Sequence, residues 1–154
     1  MVSRRDLVLS APAIGMLFEA LASSAQTPAP AGEPPANELA HSTVFSIGHL
    51  PIKPSPTGTF QHVATGNLAS GEPVEIHNTT LKPGQMPHPA HRHAHTEFMV
   101  IREGSLQWIL GEQTMHAGPG DILYARGGEL HGLKNIGETD ARYAVIAIGA
   151  DAGK

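Results

Sequence analysis

The chain has 154 residues, with ten Lys or Arg against fourteen Asp or Glu and a formal net charge of −4. This length fits one domain, and the mild acidity argues against nucleic acid or an anionic membrane surface as a partner. The sequence has no cysteine, which excludes disulfides, iron–sulfur clusters and thiolate zinc sites. Any metal must therefore be held by histidine and carboxylate, and six of the ten histidines lie between His88 and His131.

Residues 1–25 are predicted to be an export signal. A basic start is followed by an interrupted apolar stretch and then by small residues, which is the order of a secretory signal. The apolar stretch falls short of the roughly 20 apolar residues that a membrane-spanning helix needs. Ser3-Arg4-Arg5 with Leu7 resembles the twin-arginine export signal, and an ordinary secretory signal is the alternative. We expect cleavage after Ala25 and an exported protein, either periplasmic or secreted, that has no membrane contact once the signal is removed.

Three segments are predicted after the signal. Residues 26–41 form a Pro/Ala-rich linker with almost nothing to bury. Residues 42–58 form an N-terminal arm without an obvious place in the main domain. Residues 59–150 form that domain, which we expect to be a β barrel.

The main domain is predicted to be all-β. Short β-like runs alternate with turns every eight to twelve residues or so, which is the spacing of an antiparallel sandwich or barrel. Within one run, Leu106, Trp108 and Leu110 share a parity and are expected to point into the core. The runs are 60–65, 74–81, 98–101, 105–110, 113–117, 121–125, 130–135 and 142–148.

A cluster of candidate metal ligands precedes the third run. His91 and His93 are spaced so that a strand would aim both imidazoles to one side. Glu97 either continues that strand or follows a tight turn onto the next one, and His131 is the candidate for a fourth ligand. Three imidazoles and one carboxylate suit Mn, Fe, Ni, Cu or Zn, whereas calcium and magnesium prefer oxygen ligands. A solvent-exposed metal-scavenging loop is the alternative.

Two stretches of the sequence closely resemble the two motifs of the cupin superfamily. One has a residue more than usual after its first glycine, and the other has Arg126 where proline is usual. The first comprises Gly84, His91, His93, Glu97 and Gly104, and the second comprises Gly120, Arg126, Gly128, His131 and Asn135.

The resemblance implies a single-domain jelly-roll barrel, also called a double-stranded β-helix. It implies one divalent transition ion held by His91, His93, Glu97 and His131, with Asn135 as a structural hydrogen-bonding residue. It implies that Gly104, Gly120 and Gly128 are turn residues, and it favours a homodimer.

Side chains near the motifs are candidates for a pocket. Phe60, Met99, Trp108 and Tyr124 either line the barrel interior or simply pack in the core. Arg126 either meets an anionic group of a substrate or caps its turn. His88 is expected at the rim of the site, and His95 is expected to be an exposed turn residue.

Three functions are compatible with these residues. The first is a metal-dependent enzyme acting on a small oxygenated or aromatic molecule, with dioxygen-dependent ring or diketone cleavage as the leading reaction and Glu97 as a possible base. The second is a redox-neutral lyase or isomerase that uses the ion as a Lewis acid. The third is a metal-dependent protein that binds a small molecule without turnover.

Overall fold

The eight turn-separated runs and one further segment form nine antiparallel strands in the computed structural model, which describes residues 37–154. The predicted signal and most of the predicted linker lie outside the described residues. Among residues 37–154, no helix is long and apolar enough to cross a membrane. The strands are β1 (Lys53–Ser55), β2 (Gly58–Asn67), β3 (Pro73–Leu81), β4 (Thr96–Glu103), β5 (Leu106–Leu110), β6 (Gln113–Ala117), β7 (Ile122–Ala125), β8 (His131–Asn135) and β9 (Ala141–Ile148).

The strands form two sheets, which confirms the predicted all-β class. Six strands pair in the order β1-β2-β3-β9-β4-β7, and three pair in the order β6-β5-β8. The central strand β9 pairs with both β3 and β4, so segments far apart in sequence are neighbours in the sheet. The long connection between β3 and β4, residues 82–95, contains the first histidines of the candidate site.

The core lies between the two sheets. Leu106 and Trp108 are buried and Leu110 packs against them, as their alternation predicts. Alternation places every second residue of a strand on this inner face. The buried cluster consists of Leu81, Met99, Ile101, Leu106, Trp108, Ala117, Leu123, Ala125, Leu133, Ala141, Tyr143 and Val145.

The N-terminal arm has a place on this domain. Residues 53–55 form β1, which pairs with the start of β2 at the edge of the larger sheet. A short 3-10 helix, Ile47–His49, precedes β1 and is held by the side chain of Gln61. Gln61 Nε2 donates to the carbonyl oxygens of Ile47 and Leu50 at 2.9 and 3.0 Å. The arm therefore packs on its own chain and contributes a strand that the sequence did not predict.

Two motif residues stabilise the turns as expected. Gly104 has a φ of 94°, and a Cβ there would lie 2.6 Å from Ala141 Cα, so the turn requires glycine. Asn135 is fully buried, and its amide makes three hydrogen bonds to backbone groups. Asn135 is thus a structural hydrogen-bonding residue.

Candidate metal centre

A backbone bridge joins the two motifs at His91 and His131. His91 N donates to His131 O at 2.9 Å, and His131 N donates to His91 O at 3.0 Å. This isolated antiparallel pair holds residues 82–95 against the start of β8. The two imidazole ring centroids consequently lie 4.9 Å apart.

His93 completes a cluster of three imidazoles. Its ring centroid lies 5.1 Å from that of His91 and 4.6 Å from that of His131. Residues 92–93 are irregular and residues 94–95 form a bend, so the strand that the His91-x-His93 spacing suggested is absent. One nitrogen from each ring can be chosen so that all three lie within 4.8 Å of one another.

Glu97 enters the cluster from β4. Residues 94–95 bend the chain so that β4 begins at Thr96, which is the second of the two geometries considered for Glu97. Glu97 Oε1 lies 3.3 Å from His93 Nε2, and Oε2 lies 3.6 Å from His131 Nε2. The structure therefore brings the four predicted ligands together, although they are separated by up to forty positions along the chain.

Hydrogen bonds fix the tautomers of two of the histidines. His93 Nδ1 donates to the carbonyl oxygen of His95 at 2.8 Å, and His131 Nδ1 donates to that of Glu129 at 2.9 Å. Because a carbonyl oxygen only accepts, both protons lie on Nδ1 in the neutral rings, and each Nε2 keeps its lone pair. Such a contact at the second nitrogen is typical of imidazoles that bind metal through the first.

Burial and neighbouring charges set the protonation of the cluster. Burial, with the neighbouring imidazoles, lowers the pKa of His91 to about 4. Burial alone would raise the pKa of Glu97, but contacts with His131 and His95 outweigh burial and lower it to about 2. Burial likewise opposes protonation of His131, but Glu97 outweighs it and raises the pKa of His131. At neutral pH, His91 is therefore neutral and Glu97 is ionised, as metal ligands must be.

The donor set fits a divalent transition ion. His93 Nε2 and His131 Nε2 are buried and have no hydrogen-bond partner within residues 37–154, and the same holds for His91 Nδ1. Buried polar atoms are normally paired, so these nitrogens need an explanation. An ion bound between them and the Glu97 carboxylate would provide one, and the mixed nitrogen and oxygen ligands suit Mn, Fe, Ni, Cu or Zn.

His95 lies within the cluster, so its expected role as an exposed turn residue is wrong. Its ring stacks on His93 with a centroid distance of 3.5 Å, and its Nε2 lies 3.0 Å from Glu97 Oε1, within hydrogen-bond distance. Its Nδ1 contacts Asp151 at 2.8 Å. Asp151 is 56 positions away, so no local pattern indicated this contact.

A cavity of about 380 Å³ adjoins Glu97 and His131. The predicted pocket residues Phe60 and Met99 line it, as does His88, which is exposed at its rim. Hydroxyl-bearing residues, apolar residues and the imidazole of His77 form the rest of the wall. These are Ser55, Pro56, Thr57, Thr59, His77, Thr79, Pro87, Leu133, Tyr143 and Val145.

Three other predicted pocket residues do not line this cavity. Tyr124 pairs with Phe98, next to the pair of Glu97 with Ala125, so alternation turns the tyrosine to the outer face. The side chain of Arg126 is 72% exposed and lies 3.9 Å from Glu129. Trp108 is buried in the core, with its ring centroid 5.5 Å from that of His131.

Comparisons with known proteins agree with this geometry. The family model of the cupin domain matches residues 77–147, a range that contains all four candidate ligands. A search of curated proteins finds no match.

Several solved structures share the fold at low sequence identity. An RmlC-like cupin from Shewanella frigidimarina is 17% identical, with a TM-score of 0.60 over 71% of this chain and 94% of that one. A predicted oxalate decarboxylase from Thermotoga maritima is 18% identical, with a TM-score of 0.58 over 70% of this chain and 100% of that one. KdgF from Halomonas sp. is 16% identical, with a TM-score of 0.61 over 70% of this chain and 95% of that one. Residues 77–147, which contain most of both motifs, thus match the cupin-domain model, and the described part of the chain shares its fold with these cupin structures.

Proposed function

We propose that this protein is a metal-dependent enzyme that acts on a small oxygenated or aromatic molecule held in the cavity beside Glu97 and His131. The observation that carries the proposal is the pair of buried Nε2 atoms of His93 and His131. They have no hydrogen-bond partner in the described part of the chain, and they lie within 3.6 Å of the Glu97 carboxylate at the cavity wall. When bound, a divalent ion supplies Lewis acidity and, if it is redox-active, electron transfer.

The charges around the cavity favour an uncharged or singly charged substrate. No lysine or arginine is among its lining residues within 37–154. A divalent cation held by one carboxylate leaves one net positive charge, which suits a single ionised oxygen such as a phenolate or enolate. The predicted oxalate decarboxylase of similar fold is named for oxalate, which carries two negative charges. The lining residues within 37–154 include no lysine or arginine that could bind the second charge.

The remaining lining residues have roles in binding and orientation. The ring of Phe60 offers an apolar surface for a planar molecule, and stacked or tilted aromatic pairs are favourable. Tyr143, Thr79 and Thr59 offer hydroxyls that donate to or accept from oxygen atoms of the substrate. The low pKa of Glu97 makes its carboxylate a weak base, so it suits the role of ligand better than the proposed role of base.

Dioxygen-dependent cleavage of an aromatic ring or a diketone is the reaction we propose first. The test is oxygen uptake by protein reconstituted separately with each candidate ion and supplied with phenols, catechols and diketones. The His131→Ala variant should lose the activity, while the His49→Ala variant, which changes an exposed histidine outside the cluster, should keep it. Product formation under argon would replace the oxidative reaction with a lyase or isomerase. Saturable binding without turnover would leave a binding protein.

We also propose that the protein is exported through the signal in residues 1–25. The supporting feature is the Ser3-Arg4-Arg5 motif ahead of an apolar stretch. Expression of the full chain should yield a periplasmic or secreted product whose mass corresponds to cleavage after Ala25. Replacement of both arginines by lysine should block export, whereas continued export of that variant would favour an ordinary secretory signal.

A further inference from the structure

Asp151 and His95 form a chain of contacts that ends on Glu97. Asp151 lies in the turn after β9, and its carboxylate receives three hydrogen bonds from the bend that precedes β4. Oδ2 accepts from Ala94 N at 2.8 Å, and Oδ1 accepts from His95 N at 2.6 Å and from His95 Nδ1 at 2.8 Å. The other ring nitrogen, His95 Nε2, meets Glu97 Oε1 at 3.0 Å. One imidazole thus connects the C-terminal turn to a candidate metal ligand.

Packing restricts this imidazole further. Its plane lies only 7° from that of His93, at a centroid distance of 3.5 Å. The C-terminal turn approaches it so closely that a Cβ on Gly149 would lie 3.1 Å from His95 Cα. The ring therefore has one stacked neighbour and a hydrogen bond at each nitrogen, which leaves it little rotational freedom.

The contact with His95 makes the two carboxylate oxygens of Glu97 inequivalent. Oε1 lies within hydrogen-bond distance of His95 Nε2, whereas Oε2 has no hydrogen-bond partner within residues 37–154. A carboxylate held at one oxygen in this way cannot rotate freely about its last bond. Hydrogen-bonding partners of this kind orient metal ligands, and their loss typically weakens metal binding by about 10–100-fold.

We infer that Asp151 and His95 are positioning residues for Glu97: Asp151 fixes the His95 ring, and His95 holds the Glu97 carboxylate in place for the ion. This inference rests on the proposed metal centre and is independent of the substrate. Since His93, His95 and Glu97 also form a compact trio of possible ligands, direct coordination by His95 is the competing role.

Three variants separate the steps of this arrangement. His95→Phe preserves an aromatic ring for the stack but removes both ring nitrogens. His95→Gln keeps an amide donor on the side chain. Asp151→Asn keeps one acceptor oxygen, enough for one of the two backbone amides, and loses the carboxylate. Asp121→Asn is the matched control, because Asp121 Oδ2 accepts from Gly118 N at 2.8 Å in a different turn.

The measurement is the affinity of the full chain for Mn(II), Zn(II) and Cu(II), by competition with a chelator. We expect His95→Phe to weaken binding by about 10–100-fold, Asp151→Asn to weaken it in the same direction, and His95→Gln to recover part of the loss. Asp121→Asn should bind as the unaltered protein does. Melting temperatures of the metal-free variants show whether each one folds.

Electron paramagnetic resonance of the Cu(II)-loaded protein tests the competing role. The number of coordinating nitrogens should be the same in the unaltered protein and in His95→Phe, and a decrease would make His95 a ligand and overturn the inference. Unchanged affinity in both His95→Phe and Asp151→Asn would also overturn it, while loss of binding in His131→Ala would show that the metal centre stands. If the unaltered protein binds none of the ions, the proposed function fails and this inference fails with it.

Discussion

Asn135 ties the end of β8 to two other segments, and its replacement should be costly. Its Nδ2 donates to Leu81 O and to Thr139 O at 2.8 Å each, and its Oδ1 accepts from Gly137 N at 2.9 Å. Each such bond contributes about 1 kcal/mol net, and a buried group left unpaired costs about 1–3 kcal/mol. Asn135→Ala should therefore lower the free energy of unfolding by about 3–5 kcal/mol, a large part of the roughly 5–15 kcal/mol of a typical domain.

Urea unfolding followed by Trp108 fluorescence measures this effect, because the chain has one tryptophan and it is buried. Asn135→Asp provides a sharper test, since a carboxylate would face two carbonyl oxygens and lose both donors. Its penalty relative to the unaltered protein should shrink as the pH falls, because protonation restores one donor. Asn67→Ala, at an exposed site, is the control. A penalty below about 1 kcal/mol for Asn135→Ala, or an aspartate variant as stable as the original, would refute the assigned role.

Four further predictions address the turns, the ligands, the cavity and the outer sheet face. Gly104→Ala should destabilise the fold by about 2 kcal/mol or more in urea unfolding, because of its positive φ and the contact with Ala141, while Gly48→Ala, with open space around it, should change little. Burial lowers the pKa of His131, but Glu97 raises it by more, so the net pKa lies above its usual value of 6.5. Protons should therefore begin to compete with the ion above pH 6.5. Metal affinity should then fall as the pH drops from 8 to 5, and constant affinity by chelator competition would contradict this. Tyr143→Phe should leave the melting temperature nearly unchanged and weaken binding of an oxygenated ligand by about five-fold, measured by calorimetry. Tyr124 is 51% exposed beside Phe98, and if the predicted homodimer covers this face, light scattering should give a dimer that Tyr124→Lys converts to a monomer.

The strands and three of the four candidate ligands could be predicted because their signals are local, whereas the candidate His131 rested on the second motif. Runs of β-forming residues between turns located eight of the nine described strands, with bounds that differ by only a few residues. The short spacings among His91, His93 and Glu97 indicated three candidate ligands, although the strand assumed around His91 and His93 is not what brings their side chains together. Strand β1 was missed because Lys53-Pro54-Ser55 has no apolar alternation, and its pairing depends on β2.

The surroundings of the ligands could not be predicted because they depend on the pairing of distant strands. The outward direction of Tyr124 follows from its register with Phe98, and this register cannot be derived from the sequence alone. His95 was assigned to an exposed turn because its partner Asp151 belongs to another turn, after β9. Side chains whose environment is assembled from separate segments need coordinates before their roles can be assigned.

The two sides of the cavity come from separate parts of the chain. The ligands lie within the matched range 77–147, while five of the fifteen lining residues, Ser55, Pro56, Thr57, Thr59 and Phe60, precede that range. Variation at β1 and the start of β2 would therefore change the wall of the proposed binding cavity while leaving the four candidate ligands in place. Exchange of this short stretch between related barrels is accordingly a direct way to retune which molecules they accept.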